Sequence, residues 1–135
     1  LLDRQIERDG TLETAKELGV TIIAYTPLAS GLLSGKYHQN PELLKHKPFY
    51  WRGRLQRDLE KSRPLVKALT EIGEKYNATP AQVALNWVIH FHGDIIVTIP
   101  GATNPRQAAE SAGAMRFRLS EDELARLDEL SRAVK

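Results

Sequence analysis

The sequence predicts an α/β fold built from parallel βα units, and three observations carry that prediction. Two short apolar runs, Val20 to Tyr25 and Ile95 to Ile99, read as strands covered on both faces and not as strands alternating between core and water. Segments with helical spacing flank them, in the order helix, strand, loop, helices, strand, helix, helix. That order implies parallel strands with functional loops at their carboxyl ends. Two strands alone leave exposed edges, so the chain is expected to be one part of a larger βα barrel.

Thr11 to Leu18 is the first expected helix, with Thr11 as N-cap and Gly19 at the C′ position, leading straight into the first strand. The run Gly19 to Tyr37, G-V-T-I-I-A-Y-T-P-L-A-S-G-L-L-S-G-K-Y, then opens the strand into a loop. There Thr26 and Ser30 offer hydroxyls, Ala29, Gly31 and Gly35 permit close approach to the backbone, and Lys36 supplies one positive charge. These ingredients suit a phosphate-bearing ligand, and composition alone fits an ordinary strand-to-helix connection equally well. A P-loop is excluded, because three residues separate Gly31 from Gly35 and Tyr37 follows Lys36. No G-x-G-x-x-G opens a helix, which excludes the dinucleotide fingerprint of open sheets.

Residues 38 to 61 are polar, aromatic and irregular, and are expected to form a long loop, a candidate lid. Leu65, Leu69, Ile72 and Tyr76 predict a helix over Ser62 to Tyr76, with Asn77 as its stop. Thr79-Pro80 supplies an N-cap and a proline at the first helical position of the next helix. Val83, Trp87, Val88 and Phe91 line that helix, which ends at Gly93. Asn104-Pro105, with Gln107 three residues after the cap, starts another. The last helix begins at Ser120 as N-cap, with Glu123 at N3 and Leu119 placed to staple against Leu124.

With 135 residues the chain is the size of one domain or of a piece of one, and its opening, Leu1-Leu2-Asp3-Arg4, reads as the middle of something longer. A net charge of +2, from 19 Lys and Arg against 17 Asp and Glu, does not call for a nucleic-acid partner. The absence of cysteine excludes disulfides and thiolate catalysis within this piece. Its apolar runs fall far short of the roughly 20 residues that span a bilayer, so no membrane partner is expected and a cytoplasmic location is. His90 and His92 lie two apart on a helix and point to nearly opposite sides, which argues against a shared metal. Phe49-Tyr50-Trp51-Arg52-Gly53-Arg54 with Arg57 has the residue types of a nucleic-acid surface, but the balanced charge elsewhere favours a cofactor-flanking or substrate loop.

Three segments together carry a resemblance: G-T-L-E-T-A-K-E-L-G-V-T-I-I-A-Y-T-P-L-A-S-G-L-L-S-G-K-Y at 10 to 37, T-P-A-Q-V-A-L-N-W at 79 to 87, and I-P-G-A-T-N-P-R-Q-A-A-E-S-A-G-A at 99 to 114. In this order they resemble the carboxyl-terminal part of the aldo-keto reductase family, in the branch related to potassium-channel β subunits. The resemblance covers essentially the whole chain. It implies a partial domain over 1–135, the strands seven and eight of a TIM (β/α)8 barrel with their helices, and an NADP(H)-dependent reductase of small carbonyl substrates.

The resemblance also implies site residues. Tyr25 matches the aromatic ring that stacks on the nicotinamide, and Thr26, Pro27, Leu28, Ala29 and Ser30 match the loop around the pyrophosphate. Thr26 stands where Ser is commoner and keeps the hydroxyl. Lys36 matches a basic residue beside the cofactor, Gly101 and Thr103 match contacts to the adenosine 2′-phosphate, and Gln107, Glu110 and Ser111 match the adenosine-holding helix. Ser111 replaces the usual Asn. The Lys and Arg of the better-known branch are absent at Gly101 and Gln107, so Arg106, Arg52 or Arg54 is expected to supply the phosphate's counter-charge. The family's catalytic Asp, Tyr, Lys and His fall in the amino-terminal half of the barrel, which is then a required partner. No catalytic residue maps onto this chain. A nicotinamide-binding regulatory subunit is the alternative from another functional class. Oligomeric state, direction and substrate identity have no signature in these residues.

Overall fold

The computed structural model describes residues 1–46 and 48–134, and for Trp51 and Arg54 the backbone alone. Its two strands, β1 (Ile22–Tyr25) and β2 (Ile96–Ile99), pair in parallel with Ile22 opposite Ile96 and Tyr25 opposite Ile99. The helices are α1 (Thr11–Leu18), a four-residue α2 (Lys36–Gln39), α3 (Phe49–Tyr76), α4 (Pro80–His90), α5 (Pro105–Ala112) and α6 (Glu121–Arg132), with 3-10 turns between several of them. None of the helices among the described residues is long and apolar enough to cross a membrane.

The parallel pairing agrees with expectation, but the two-sided burial does not. Ile22 and Ala24 pack towards the core while Ile23 and Tyr25 are 62% and 78% exposed, and on β2 Val97 and Ile99 are likewise open. In-register pairing aligns these four side chains on one uncovered apolar face. The sequence recorded the apolarity of both faces; this chain covers only one of them.

The core forms where α4 packs on the covered face and α3 packs against α4 and α6. Leu65, Leu69 and Ile72 from α3 meet Val83, Ala84, Trp87 and Val88 from α4, Ile96 from β2, and Leu124 and Leu127 from α6. Most of these side chains are fully buried, each contributing about 1.5–3 kcal/mol. Asn86 is buried too, and it is saturated: Nδ2 donates to the carbonyls of Ala114 at 2.8 Å and Phe117 at 2.7 Å, and Oδ1 accepts from Leu119 N at 3.3 Å. It ties the α5–α6 connection to α4, and the Trp87 indole, which donates to Leu124 O at 3.0 Å, ties α6 to α4 as well.

Most of the described residues in the segment 38 to 61 are helical, contrary to the loop expected there: α2 ends at Gln39, Pro41–His46 form 3-10 turns, and α3 runs from Phe49. α3 begins at Phe49, and Leu55 and Leu59 extend its buried stripe into a second cluster with Leu32, Tyr37 and Leu44. Helical spacing therefore persists beneath the polar residues that hide it. Pro64 lies inside α3, and its ring is accommodated on an exposed face.

Helix ends follow local chemistry closely. Ser120 and Glu123 form a reciprocal capping box, and Leu119 and Leu124 are both buried in the main cluster beside it. At α1 the cap is Gly10 in the left-handed region and not Thr11, which is the first helical residue; Asp9 Oδ1 takes the Thr11 N–H at 3.0 Å. Asn77 ends α3 at φ 51°, with Ala78 N donating to Gly73 O and Asn77 N to Glu74 O. Replacing Asn77 by Gly relieves that left-handed Asn, and we expect a gain of about 0.5 kcal/mol in stability. A lowered thermal midpoint for Asn77→Gly would contradict this.

At the opposite end, Arg4 is buried and holds residues 1–8 against α4 and α6. Its Nε donates to Glu7 at 2.8 Å and Nη1 to Ser131 Oγ at 3.0 Å, it pairs with Asp128, and its guanidinium lies 5.0 Å from the Trp87 ring centre. His92 bonds Glu7 at 2.9 Å while His90 faces Asp94, so the two histidines do part as their spacing predicts.

Candidate functional site

The carboxyl ends of β1 and β2 lie side by side, so the loops that follow them border one cleft of about 1040 Å³. From the β1 side come Tyr25, Thr26, Pro27, Leu28, Ser30 and Lys36, and from the β2 side Gly101, Thr103, Gln107, Glu110 and Ser111.

Of the thirteen residues implied by the resemblance, this gathers all but Ala29 and Arg54. Ala29 packs against both apolar clusters and has a left-handed backbone (φ 49°). The Arg54 side chain lies outside the described residues, as does that of Trp51. Phe49, Tyr50 and Arg52 belong to the first turns of α3 and do not form a flanking loop; Arg52 donates to Lys45 O at 2.5 Å.

The loop after β1 is conformationally unusual. Thr26, Ala29 and Ser30 have φ between 49° and 56°, and Asn77 is the only other non-glycine residue at positive φ among those described. Each such residue costs on the order of 1 kcal/mol, and such costs cluster where a backbone is shaped for a ligand. Gly31 follows at φ 91°; a Cβ there would sit 2.9 Å from Lys36 Cε and 3.0 Å from Nζ. The glycine is what lets the ammonium lie against the loop, 5.0 Å from the Tyr37 ring centre.

The β2 side is organised by hydrogen bonds. Asn104 caps α5 by accepting from Gln107 N at 3.0 Å. Gln107 Oε1 does not complete a capping box but accepts from Thr103 N at 2.8 Å and Thr103 Oγ1 at 3.0 Å. Gln107 and Glu110, one turn apart, both reach the cleft as their spacing predicts. Among the described residues two cations line it, Lys36 at the start of α2 and Arg106 in the first turn of α5. The Arg106 position was among those expected to supply charge. Ser34, Gln39 and Gln82 were not foreseen. Gln82 was legible, since T-P-A-Q places it at N3 behind the Thr79 cap; Ser34 and Gln39 carried no signal beyond polarity.

Parallel βα units with a cleft across the carboxyl ends of their strands define a piece of a βα-barrel protein. The chain belongs to the aldo/keto reductase family, whose model matches residues 1–132. It is 37% identical over 135 residues to aldo-keto reductase str7 of Strobilurus tenacellus, covering 97% of this chain and 39% of that protein. It is 31% identical over 124 residues to the Schizosaccharomyces pombe protein named aldo-keto reductase yakc [NADP(+)], covering 87% of this chain and 35% of that one. Among solved structures it matches a thermostable aldo-keto reductase, Tm1743, in complex with the inhibitor epalrestat, with TM-score 0.66 and 31% identity over 95% of this chain and 36% of that one. The chain thus spans little more than a third of the length of these relatives, and its fold is part of a TIM barrel.

Proposed function

We propose that this chain is the cofactor-holding part of an NADP(H)-dependent aldo-keto reductase, contributing strands seven and eight of its barrel. The observation that carries the reading is the single cleft collecting Tyr25, the Thr26–Ser30 loop, Lys36, Gly101, Thr103, Gln107, Glu110 and Ser111. Its donor set fits the group: hydroxyls and a strained loop beside Lys36 for the pyrophosphate, Arg106 and Thr103 for the 2′-phosphate, and Gln107, Glu110 and Ser111 for adenosine. Tyr25 offers a flat ring, largely exposed, for stacking against the nicotinamide.

When bound, NADPH supplies a hydride to a small aldehyde or ketone. The residues of this chain bind and orient it, and the proton-donating set lies in the amino-terminal part of the barrel. This chain alone has no turnover. The uncovered face of Ile23, Tyr25, Val97 and Ile99 and the free outer edges of both strands support a fit against that remaining part. Relatives named as reductases favour this reading over a purely regulatory subunit.

In the full-length protein, Tyr25→Ala and Glu110→Ala are each expected to weaken NADPH binding roughly tenfold, the loss of one stacking or charge-assisted contact. Fluorescence titration measures it. Wild-type affinity in both variants would refute the assignment.

A further inference from the structure

The cap of α4 also touches the cleft. Thr79 Oγ1 accepts from Gln82 N at 3.3 Å and donates to Glu110 Oε1 at 3.0 Å. Gln82 returns the cap by accepting from Thr79 N at 2.8 Å, and its Nε2 donates to the main-chain carbonyl of Glu110 at 2.8 Å. One capping box therefore grips both the side chain and the backbone of a residue on another helix. Gly113 makes room for it, because a Cβ there would lie 2.2 Å from Gln82 Nε2. Apolar packing does not do this job: α5 has no buried residue.

We infer that Thr79 and Gln82 are positioning residues that set Glu110 for the adenosine half of the cofactor, an inference that rests on Glu110 being a cofactor contact. A threonine hydroxyl has one proton and two acceptor sites, so Thr79 caps α4 and donates to Glu110 at once. Serine does both. Aspartate caps as well as threonine but has no proton to give, and it sets a second carboxylate beside Glu110. Thr79→Asp thus separates capping from positioning.

The test uses the full-length protein and two probes, adenosine 2′,5′-bisphosphate and nicotinamide mononucleotide, with Thr79→Ser, Thr79→Asp, Glu110→Ala and the Thr79→Asp/Glu110→Ala double variant. Thr79→Ser is expected to retain wild-type affinities. Thr79→Asp is expected to weaken the bisphosphate roughly tenfold, leave the mononucleotide unchanged, and add nothing once Glu110 is Ala. If Glu110→Ala weakens the bisphosphate but Thr79→Asp is silent, or its effect persists in the double variant, positioning is overturned while the site reading stands. If Glu110→Ala is itself silent, both fall. Should Thr79→Asp fail to fold, Gln82→Glu replaces it, keeping the acceptor for Thr79 N while losing the donor to the Glu110 carbonyl.

Discussion

Arg4→Ala is expected to destabilise the full-length protein by about 3 kcal/mol at neutral pH, as removing one partner of a buried ion pair does. The guanidinium is 4% exposed and sits between Glu7 and Asp128 above the Trp87 and Phe91 rings, so alanine removes the buried partner of both carboxylates, leaving Glu7 with His92 and Arg132, Asp128 with Arg132, and a cavity against the rings. The pH dependence distinguishes charge from packing. Burial pushes the Glu7 carboxyl up, but the hydrogen bond and charge of Arg4, with His92 adding to them, outweigh it and hold the group below its ordinary 4.5. At Asp128 burial is likewise outweighed, by bonds from Arg132 and Arg4, leaving it below 3.8. A carboxyl whose folded pKa is depressed contributes stability above its unfolded pKa and loses it as pH falls through the folded value. The variant lacks much of that contribution at neutral pH, so it has less to lose. Urea unfolding should show the gap between wild type and Arg4→Ala narrowing below about pH 4. A constant gap would assign the whole effect to packing.

Gly73→Ala is expected to cost about 3 kcal/mol, near the upper end for overpacking a well-filled site. Ala78 N donates to Gly73 O at 2.9 Å, which folds the chain back over the last turn of α3. A Cβ on Gly73 would lie 2.4 Å from the Ala78 carbonyl oxygen, a backbone atom that cannot move without breaking this reversal. The Thr79 cap follows one residue later, so the strain reaches the start of α4. Thermal unfolding of the full-length variant measures the cost. Near-wild-type stability would mean that the α3–α4 turn relaxes freely.

Much of this architecture was legible because helix starts are written in local chemistry. Ser120 with Glu123, Thr79 with Pro80, and Asn104 with Pro105 each cap where the sequence puts them. What failed was governed by context beyond a few residues. The first turns of α3 lack a side-chain cap and contain Gly53, so nothing local announces a helix there, although Leu55 and Leu59 keep its spacing. The cleft residues were legible only as a set. Lys36 or Glu110 alone resembles any surface charge, whereas two loops at the ends of adjacent parallel strands bring them to one place. The seat of Glu110 was invisible because it depends on a contact between residues 31 apart in the chain.

The register of β1 against β2 also bears on the order in which the structure assembles. Each paired residue meets a partner 74 positions later, as the numbers 22 and 96 give for the first pair. Closing so long a loop carries an entropic cost that local helix contacts do not. The α3–α4 hairpin, packed along neighbouring stretches of sequence, spans the interval and shortens the distance its ends must search. Strand pairing is then expected to follow helix packing, and the cleft, which lies across the paired ends, to form with it.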